Sequence, residues 1–220
     1  RSGTLRSKQV LKGIFGLDSF KVIEAESLNQ GEINPKRTGK EIDCRYSNFS
    51  NGKHTREDYL KAFDQAVEFS KKPTLVHVNS FSDMPKEDEI SEFNLKNLIS
   101  RQELLDSQRI QERSKTIKEF KSGKRNVLFT TKCSRGIDFP GEECNSIIFT
   151  KYPNPNVRDA FWRILHKTRP GQYWNFYKDK AKRELLQKVY RGVRSLKDHV
   201  YVLSPDSRVL EFFENKDNLK

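Results

Sequence analysis

Apolar residues follow two alternating rhythms along the chain. Over 56–69, "REDYLKAFDQAVEF", Leu60, Phe63 and Val67 recur at the spacing of one helical face, which predicts a helix packed along it. Directly after it, "PTLVHVN" at 73–79 opens with Pro and is β-branched and apolar, the composition of a buried strand. "RNVLFTT" at 125–131, "NSIIFTK" at 145–151 and "HVYVLS" at 199–204 have the same character. A mainly helical, charge-laced region spans about 87–121 and stops at Gly123. Further helices are predicted over 157–166 and over about 178–194. Residues 29–55, rich in Asn, Gly, Ser and Lys, read as loop with one strand at most, and 1–28 mix small and apolar residues around Gly13 and Gly16. Strands alternating with helices predict an α/β fold with a parallel, doubly wound sheet.

Composition narrows the function classes. Of 220 residues, 34% are hydrophobic and 33% charged, so the core is economical and the surface ionic. Forty-two Lys and Arg against 30 Asp and Glu leave a formal charge of +12, which favours a polyanionic partner, nucleic acid before acidic membrane. No run approaches the ~20 apolar residues of a membrane span, and no secretory signal opens the chain. Cys44, Cys133 and Cys144 form no CxxC pair and leave an odd thiol, which argues against both disulfides and zinc. The expectation is a soluble intracellular protein with no membrane partner and no metal ligands of its own.

The candidate chemistry gathers in three places. Ser80 follows the strand at 73–79, and "TTKCSRGID" follows the strand at 125–131. Loops after neighbouring parallel strands emerge on one edge, so these two should lie side by side. Thr130, Thr131 and Ser134 bring hydroxyls, Arg135 a guanidinium and Gly136 room for close backbone approach, all suited to a phosphate backbone. In "QKVYRGVR", 187–194, Gln187, Arg191 and Arg194 stand at i, i+4 and i+7. On a helix those offsets fall within roughly 60° of one another. Two guanidiniums and an amide there can read phosphate oxygens. They can equally be a solvated stripe, since seven basic residues and two acidic ones lie between Lys178 and Arg194. Asp138 reads as a capping carboxylate or a site residue, and Cys133 as a small filler. His77 and His166 read as packed or surface residues rather than ligands. Trp162, Trp174, Phe176 and Tyr177 can stack bases, but such aromatics more often fill a core.

These segments resemble the C-terminal motor domain of superfamily 2 helicases, of the XPD/DinG-like DNA helicase group. Gln187, Arg191 and Arg194 are in register with the family's last motif, Gln-x-x-Gly-Arg-x-x-Arg, and Gly136, Asp138 and Phe139 with the Gly-x-Asp-Phe before it. "LVHVNSFSD" is similar to the strand leading to Ser-Phe or Ser-Tyr, and "SPDSRV" to the Asp-x-Arg that often closes the domain, at Asp206 and Arg208. "SGTL" at 2–5 and "IFGLDSF" resemble the end of the first motor domain and the stretch after it. Tyr190 stands where the family usually has Gly, and Arg135 where XPD-like proteins often have Glu.

The resemblance implies one RecA-like α/β domain, a parallel sheet flanked by helices with helical embellishment, over 29–220. Residues 1–28 would be the end of a first motor domain or a linker from it. It implies arginine fingers at Arg191 and Arg194, nucleotide contacts at Gln187, Gly136 and Asp138, and single-stranded DNA contacts at Ser80, Thr130, Thr131 and Arg135. ATP and Mg²⁺ would be held mainly by the first motor domain: none of Gly39-Lys40, Gly52-Lys53 and Gly123-Lys124 continues into a phosphate loop. The chain alone is therefore expected to be inactive, a fragment whose partners are the N-terminal motor domain of the same protein, single-stranded DNA and possible repair proteins. The alternatives are a non-enzymatic nucleic-acid-binding or repair-complex docking module, and an RNA helicase domain.

Overall fold

The computed structural model of the chain describes residues 7–21, 31–131 and 137–219. Its contacts divide into two compact units: a sheet unit, Asn29–Tyr152 with Val189–Lys220, and a helical unit, Arg1–Leu28 with Pro153–Lys188. The strands are β1 (Glu32–Pro35), β2 (Thr74–His77), β3 (Val127–Thr130), β4 (Ser146–Phe149) and β5 (His199–Leu203). The first helices are α1 (Lys8–Gly13), α2 (Tyr46–Ser50), α3 (Arg56–Phe69), α4 (Glu87–Glu92) and α5 (Arg101–Ser107). After them come α6 (Ile110–Lys121), α7 (Ala160–Thr168), α8 (Pro170–Val189) and α9 (Ser207–Glu214).

All five strands run parallel in the order β1-β5-β4-β2-β3. The central pair explains the apolar runs seen in the sequence. Leu75 pairs with Leu128 on one side and Ile147 on the other, Val76 with Phe129 and Ile148, and every residue of β2 and β4 is buried. A parallel sheet covered on both faces requires such near-continuous hydrophobic strands. The strand expected within 29–55 is β1, which holds an edge and ends on Pro35, a residue with no N–H to donate.

Helices of the sheet unit start and stop where side chains dictate. At α3 the Thr55 hydroxyl accepts the Asp58 N–H at 3.1 Å while the Asp58 carboxylate accepts the Thr55 N–H at 2.8 Å, a reciprocal cap. The predicted face is the buried one: Leu60, Phe63 and Val67 are at most 1% exposed. They pack into a cluster with Val76, Met84, Leu95, Leu104, Phe129, Ile148 and Leu203. The region 87–121 resolves into α4, α5 and α6, and Gly123 follows α6 at φ +74°, a left-handed stop that suits glycine. Helix α9 buries Val209, Leu210, Phe212 and Phe213, with Phe213 stacked on Phe149 of β4.

The helical unit has its own core of Val10, Trp162, Leu165, Tyr173 and Phe176. The helices expected over 157–166 and 178–194 are here α7 and α8, displaced from those bounds. Helix α8 begins eight residues earlier because Tyr173, Phe176 and Tyr177 stand at helical spacing and their rings meet Trp162 at 6.0, 5.3 and 5.4 Å. That packing outweighs the weak helix preference of "PGQYW". Trp174 and Phe161 stay more than half exposed. Fourteen Lys and Arg against six Asp and Glu give this unit +8 of the chain's +12.

β5 and β1 enter the sheet through one turn. The Glu32 N–H donates to the Asp198 carbonyl at 2.8 Å and the Gly31 N–H to the Ser195 carbonyl at 3.1 Å. A Cβ on Gly31 would stand 2.0 Å from the Asp198 carbonyl oxygen, so only glycine fits. The Asp198 carboxylate accepts the N–H groups of Arg194 at 2.6 Å and Ser195 at 2.7 Å. Burial pushes its pKa up, but those two N–H groups, the Ser195 hydroxyl and the Gly141 N–H together hold it below the usual aspartate range.

Two outcomes follow from this packing. Phe63→Ala is expected to lose about 3–5 kcal/mol, read as a lower urea midpoint at unchanged slope. Because the folded Asp198 carboxyl is depressed, its stabilisation is complete above the ordinary aspartate value of about 3.9 and is lost as pH falls through the folded pKa. The stability gap between the wild type and Asp198→Asn should therefore stay constant near neutral pH and shrink as pH falls from about 4 through the lower folded pKa. A pH-independent gap would show that the carboxylate charge has no part in holding the turn.

Candidate functional site

The segment 187–194 is not one helix face. Helix α8 stops at Val189, and Tyr190, Arg191 and Gly192 form a turn closed by the Gly192 N–H on the Val189 carbonyl at 3.0 Å. The reason lies in the sheet beneath. A Cβ on Gly192 would meet Ile147 Cδ1 of β4 at 3.2 Å and Val200 Cγ2 of β5 at 3.7 Å, so the backbone lies close against the strands and leaves the helix to do so. Gln187 stays on α8, exposed, in the helical unit, whereas Arg191 and Arg194 belong to the sheet unit. Tyr190, at the family's usual glycine, is half-buried, and burial raises its phenol pKa.

Unwinding frees the Arg191 carbonyl, which accepts the Phe139 N–H at 3.0 Å. Phe139 is fully buried, with its ring edge-on to Phe120 at 5.3 Å and the Lys121 ammonium 5.3 Å from its centroid. Asp138, next in the chain to that anchor, meets both arginines. Arg191 Nη1 donates to the Ile137 carbonyl at 2.9 Å and to Asp138 Oδ1 at 3.3 Å, and Arg194 Nη2 donates to the same Oδ1. The Arg191 side chain is 15% exposed; those of Arg194 and Asp138 are 45% and 46% exposed. Two planar guanidiniums converging on one anionic oxygen have the donor geometry that phosphate oxygens take.

The second group stands at the other ends of the strands. The loops after β2 and β3 are adjacent as expected: the Val78 N–H donates to the Thr130 carbonyl at 2.9 Å. Ser80 is exposed and caps a short 3₁₀ turn, Phe81–Asp83, with its hydroxyl 2.8 Å from that of Ser82. Thr131 is half-buried, and its hydroxyl donates to Gln108 Oε1 at 3.5 Å. Thr130 corrects the expectation of a DNA contact, because as the last residue of β3 it is only 2% exposed and its hydroxyl is under the surface. Ser134, Arg135, Gly136 and Cys133 lie outside the described residues.

Sequence reasoning missed what holds this edge together. The buried Asp83 carboxylate accepts the Ser80 N–H at 3.1 Å, the Thr150 hydroxyl at 3.0 Å and the Lys151 ammonium at 2.7 Å. Lys151 also sits 4.8 Å from the centroid of Tyr59. The Ser80-x-x-Asp83 spacing, a capping box, was the available signal. The Asp206–Arg208 motif is likewise internal. Asp206 is fully buried, takes Arg208 in two bonds of 2.9 and 2.7 Å, accepts the Tyr152 N–H at 2.8 Å and caps α9.

The expected site thus separates in two. Asp138, Arg191 and Arg194 lie in segments that lead into β4 and β5, while Ser80 and Thr131 lie where β2 and β3 end. Among the described residues no His, Cys, Asp and Glu group could hold a metal ion, and no helix is long and apolar enough to cross a membrane. Cys44 and Cys144 are buried, and burial lifts both thiols, Cys144 to about 12, so neither is a thiolate at neutral pH.

Residues 45–217 match the family model of the helicase C-terminal domain. Comparison with curated proteins returned no match. Among solved structures, an apo XPD structure aligns with 99% of this chain and 45% of its own, at TM-score 0.65 and 18% identity. An XPD helicase structure aligns with 99% of this chain and 40% of its own, at 0.59 and 18%. S. tokodaii Xpd4 aligns with 91% of this chain and 39% of its own, at 0.52 and 19%. The chain spans less than half the length of each of these structures. Their likeness extends to the five-stranded parallel sheet with flanking helices, a RecA-like α/β fold. With the family model covering most of its length, this chain belongs to the helicase C-terminal domain family.

Proposed function

We propose that the chain is the second motor domain of an ATP-dependent DNA helicase, with residues 29–220 as that domain and 1–28 leading into it from the first. The observation that carries the reading is the convergence of Arg191 and Arg194 on a single carboxylate oxygen at the entry to β5. The arginines would turn the same donors onto the phosphates of ATP held, with Mg²⁺, mainly by the first motor domain. Guanidiniums in that position stabilise the negative charge that builds on phosphoryl oxygens during hydrolysis. Gln187, Gly136 and Asp138 are assigned to nucleotide sensing by their places in the motifs.

Ser80 and Thr131 at the opposite strand ends are assigned, together with Arg135, to the phosphate backbone of single-stranded DNA, and Thr130 is buried at the end of β3. A rigid sheet then links the two groups, so that closing on nucleotide moves the DNA-facing loops. The concentration of +8 in the helical unit favours a second reading, a nucleic-acid-binding or repair-docking module that hydrolyses nothing.

The isolated chain is expected to lack ATPase activity and to bind single-stranded DNA weakly and without sequence preference. Contacts to about three to five phosphates give a log–log salt slope of about −2 to −3.5. Binding that ignores salt would remove the electrostatic basis of the assignment.

In a protein carrying both motor domains, Arg191→Ala is expected to slow hydrolysis by about 10³–10⁵-fold. Arg191→Lys should recover little, since an ammonium lacks the planar fork. DNA affinity without nucleotide should change less than about tenfold, or ~1.4 kcal/mol. Near-normal hydrolysis by Arg191→Ala would favour the binding module instead.

A further inference from the structure

We infer that Asp138 is an internal latch: its carboxylate occupies the anion position of Arg191 and Arg194 until a polyphosphate displaces it. The inference rests on the reading that these arginines meet nucleotide phosphate, and assigns Asp138 a role opposite to that of a nucleotide ligand.

The geometry separates this cluster from an ordinary surface ion pair, in which two exposed side chains share a single contact. Asp138 Oδ1 takes both guanidiniums at once, so one oxygen parks both fingers. The carboxylate is also held in place by its neighbours. Phe139 is buried and tied through its N–H to the Arg191 carbonyl, and the Ile137 carbonyl accepts Arg191 Nη1. The turn on the other side is fixed by the Asp198 carboxylate on the Arg194 N–H. These bonds fix the backbone on both sides of the contact, while the Asp138 and Arg194 side chains keep the rotamer freedom that release requires.

Exposure sets the order of release. Arg191 is 15% exposed and has the Ile137 carbonyl as a second acceptor, so it remains oriented when Asp138 is displaced. Arg194 and Asp138 are nearly half exposed and form the side that an incoming anion reaches first. A ligand must out-compete a carboxylate already in contact, which a highly charged triphosphate does and a single monoanion does not. The latch therefore weakens phosphate binding at rest and favours polyphosphates over small anions. Asp138 acts through the arginines and is a positioning residue.

The test uses this chain, with inorganic tripolyphosphate as the probe and isothermal titration calorimetry at low salt. Asp138→Asn is expected to bind the probe at least tenfold more tightly than the wild type, with a gain for inorganic phosphate at least as large. The gain should vanish in Asp138→Asn combined with Arg191→Ala and Arg194→Ala. Asp138→Ser serves as the second variant should the Asn form fold poorly, with the thermal midpoint of each as control. Binding by a folded Asp138 variant no tighter than the wild type, or a gain that survives loss of both arginines, overturns the latch. The two-domain protein separates the failures. If Arg191→Ala abolishes hydrolysis while Asp138→Asn raises the KM for ATP, the motor reading stands and the latch falls, because Asp138 then helps hold nucleotide. If Asp138→Asn tightens tripolyphosphate binding through the arginines while Arg191→Ala hydrolyses normally, the latch stands as an anion gate and the motor reading falls.

Discussion

The Phe139 N–H can reach the Arg191 carbonyl only because α8 has already ended, since a carbonyl inside a helix is committed to an N–H one turn further on. That single bond couples the loop entering β4 to the turn entering β5. The buried Phe139 ring fixes one side of it, and Gly192, pressed close to Ile147 and Val200, fixes the other. Asp138 and Arg191 then have little freedom to avoid one another. The arginine cluster is thus a consequence of how two strands are fed into the sheet, and it inherits the rigidity of the core.

The exit edge of the sheet follows a different logic. Asp83 and Asp206 are buried carboxylates, and a buried charge is tolerated only with full compensation. Lys151, Thr150 and the Ser80 N–H compensate the first; Arg208 and the Tyr152 N–H compensate the second. These partners come from the ends of β2, β4 and β5, so compensating the charges also locks the loops to each other. The exposed hydroxyl of Ser80 is presented from a braced loop. Arginines thus stand at one edge of the sheet and hydroxyl-bearing loops at the other.

Charge is divided as unevenly as chemistry. The helical unit, well under a third of the residues, carries two-thirds of the net positive charge and exposes Phe161 and Trp174, while its core is closed by Trp162, Tyr173 and Phe176. The sheet unit is close to neutral by comparison, so long-range attraction of a polyanion acts first on the helices.

By itself the sequence determined the elements whose signal is local. Pro73 and the apolar runs predict β2, β3, β4 and β5, the Leu60–Phe63–Val67 face predicts α3, and Gly123 ends α6, because burial on both sheet faces and helical periodicity leave a mark in every few residues. The family resemblance likewise assigned Asp138, Arg191 and Arg194 to one nucleotide-facing site. Only the tertiary structure decided how they meet. A helical reading of 187–194 puts Gln187 with the arginines, but the close approach of Gly192 to Ile147, a residue far away in the chain, ends the helix first. β1 has too few apolar residues to announce itself and exists through its pairing with β5. Lys151 and Asp83 gave no more than a capping-box spacing, because their bond joins the ends of different strands. Thr130 falls inside the strand predicted at 125–131, and only the fold shows that this strand end is buried.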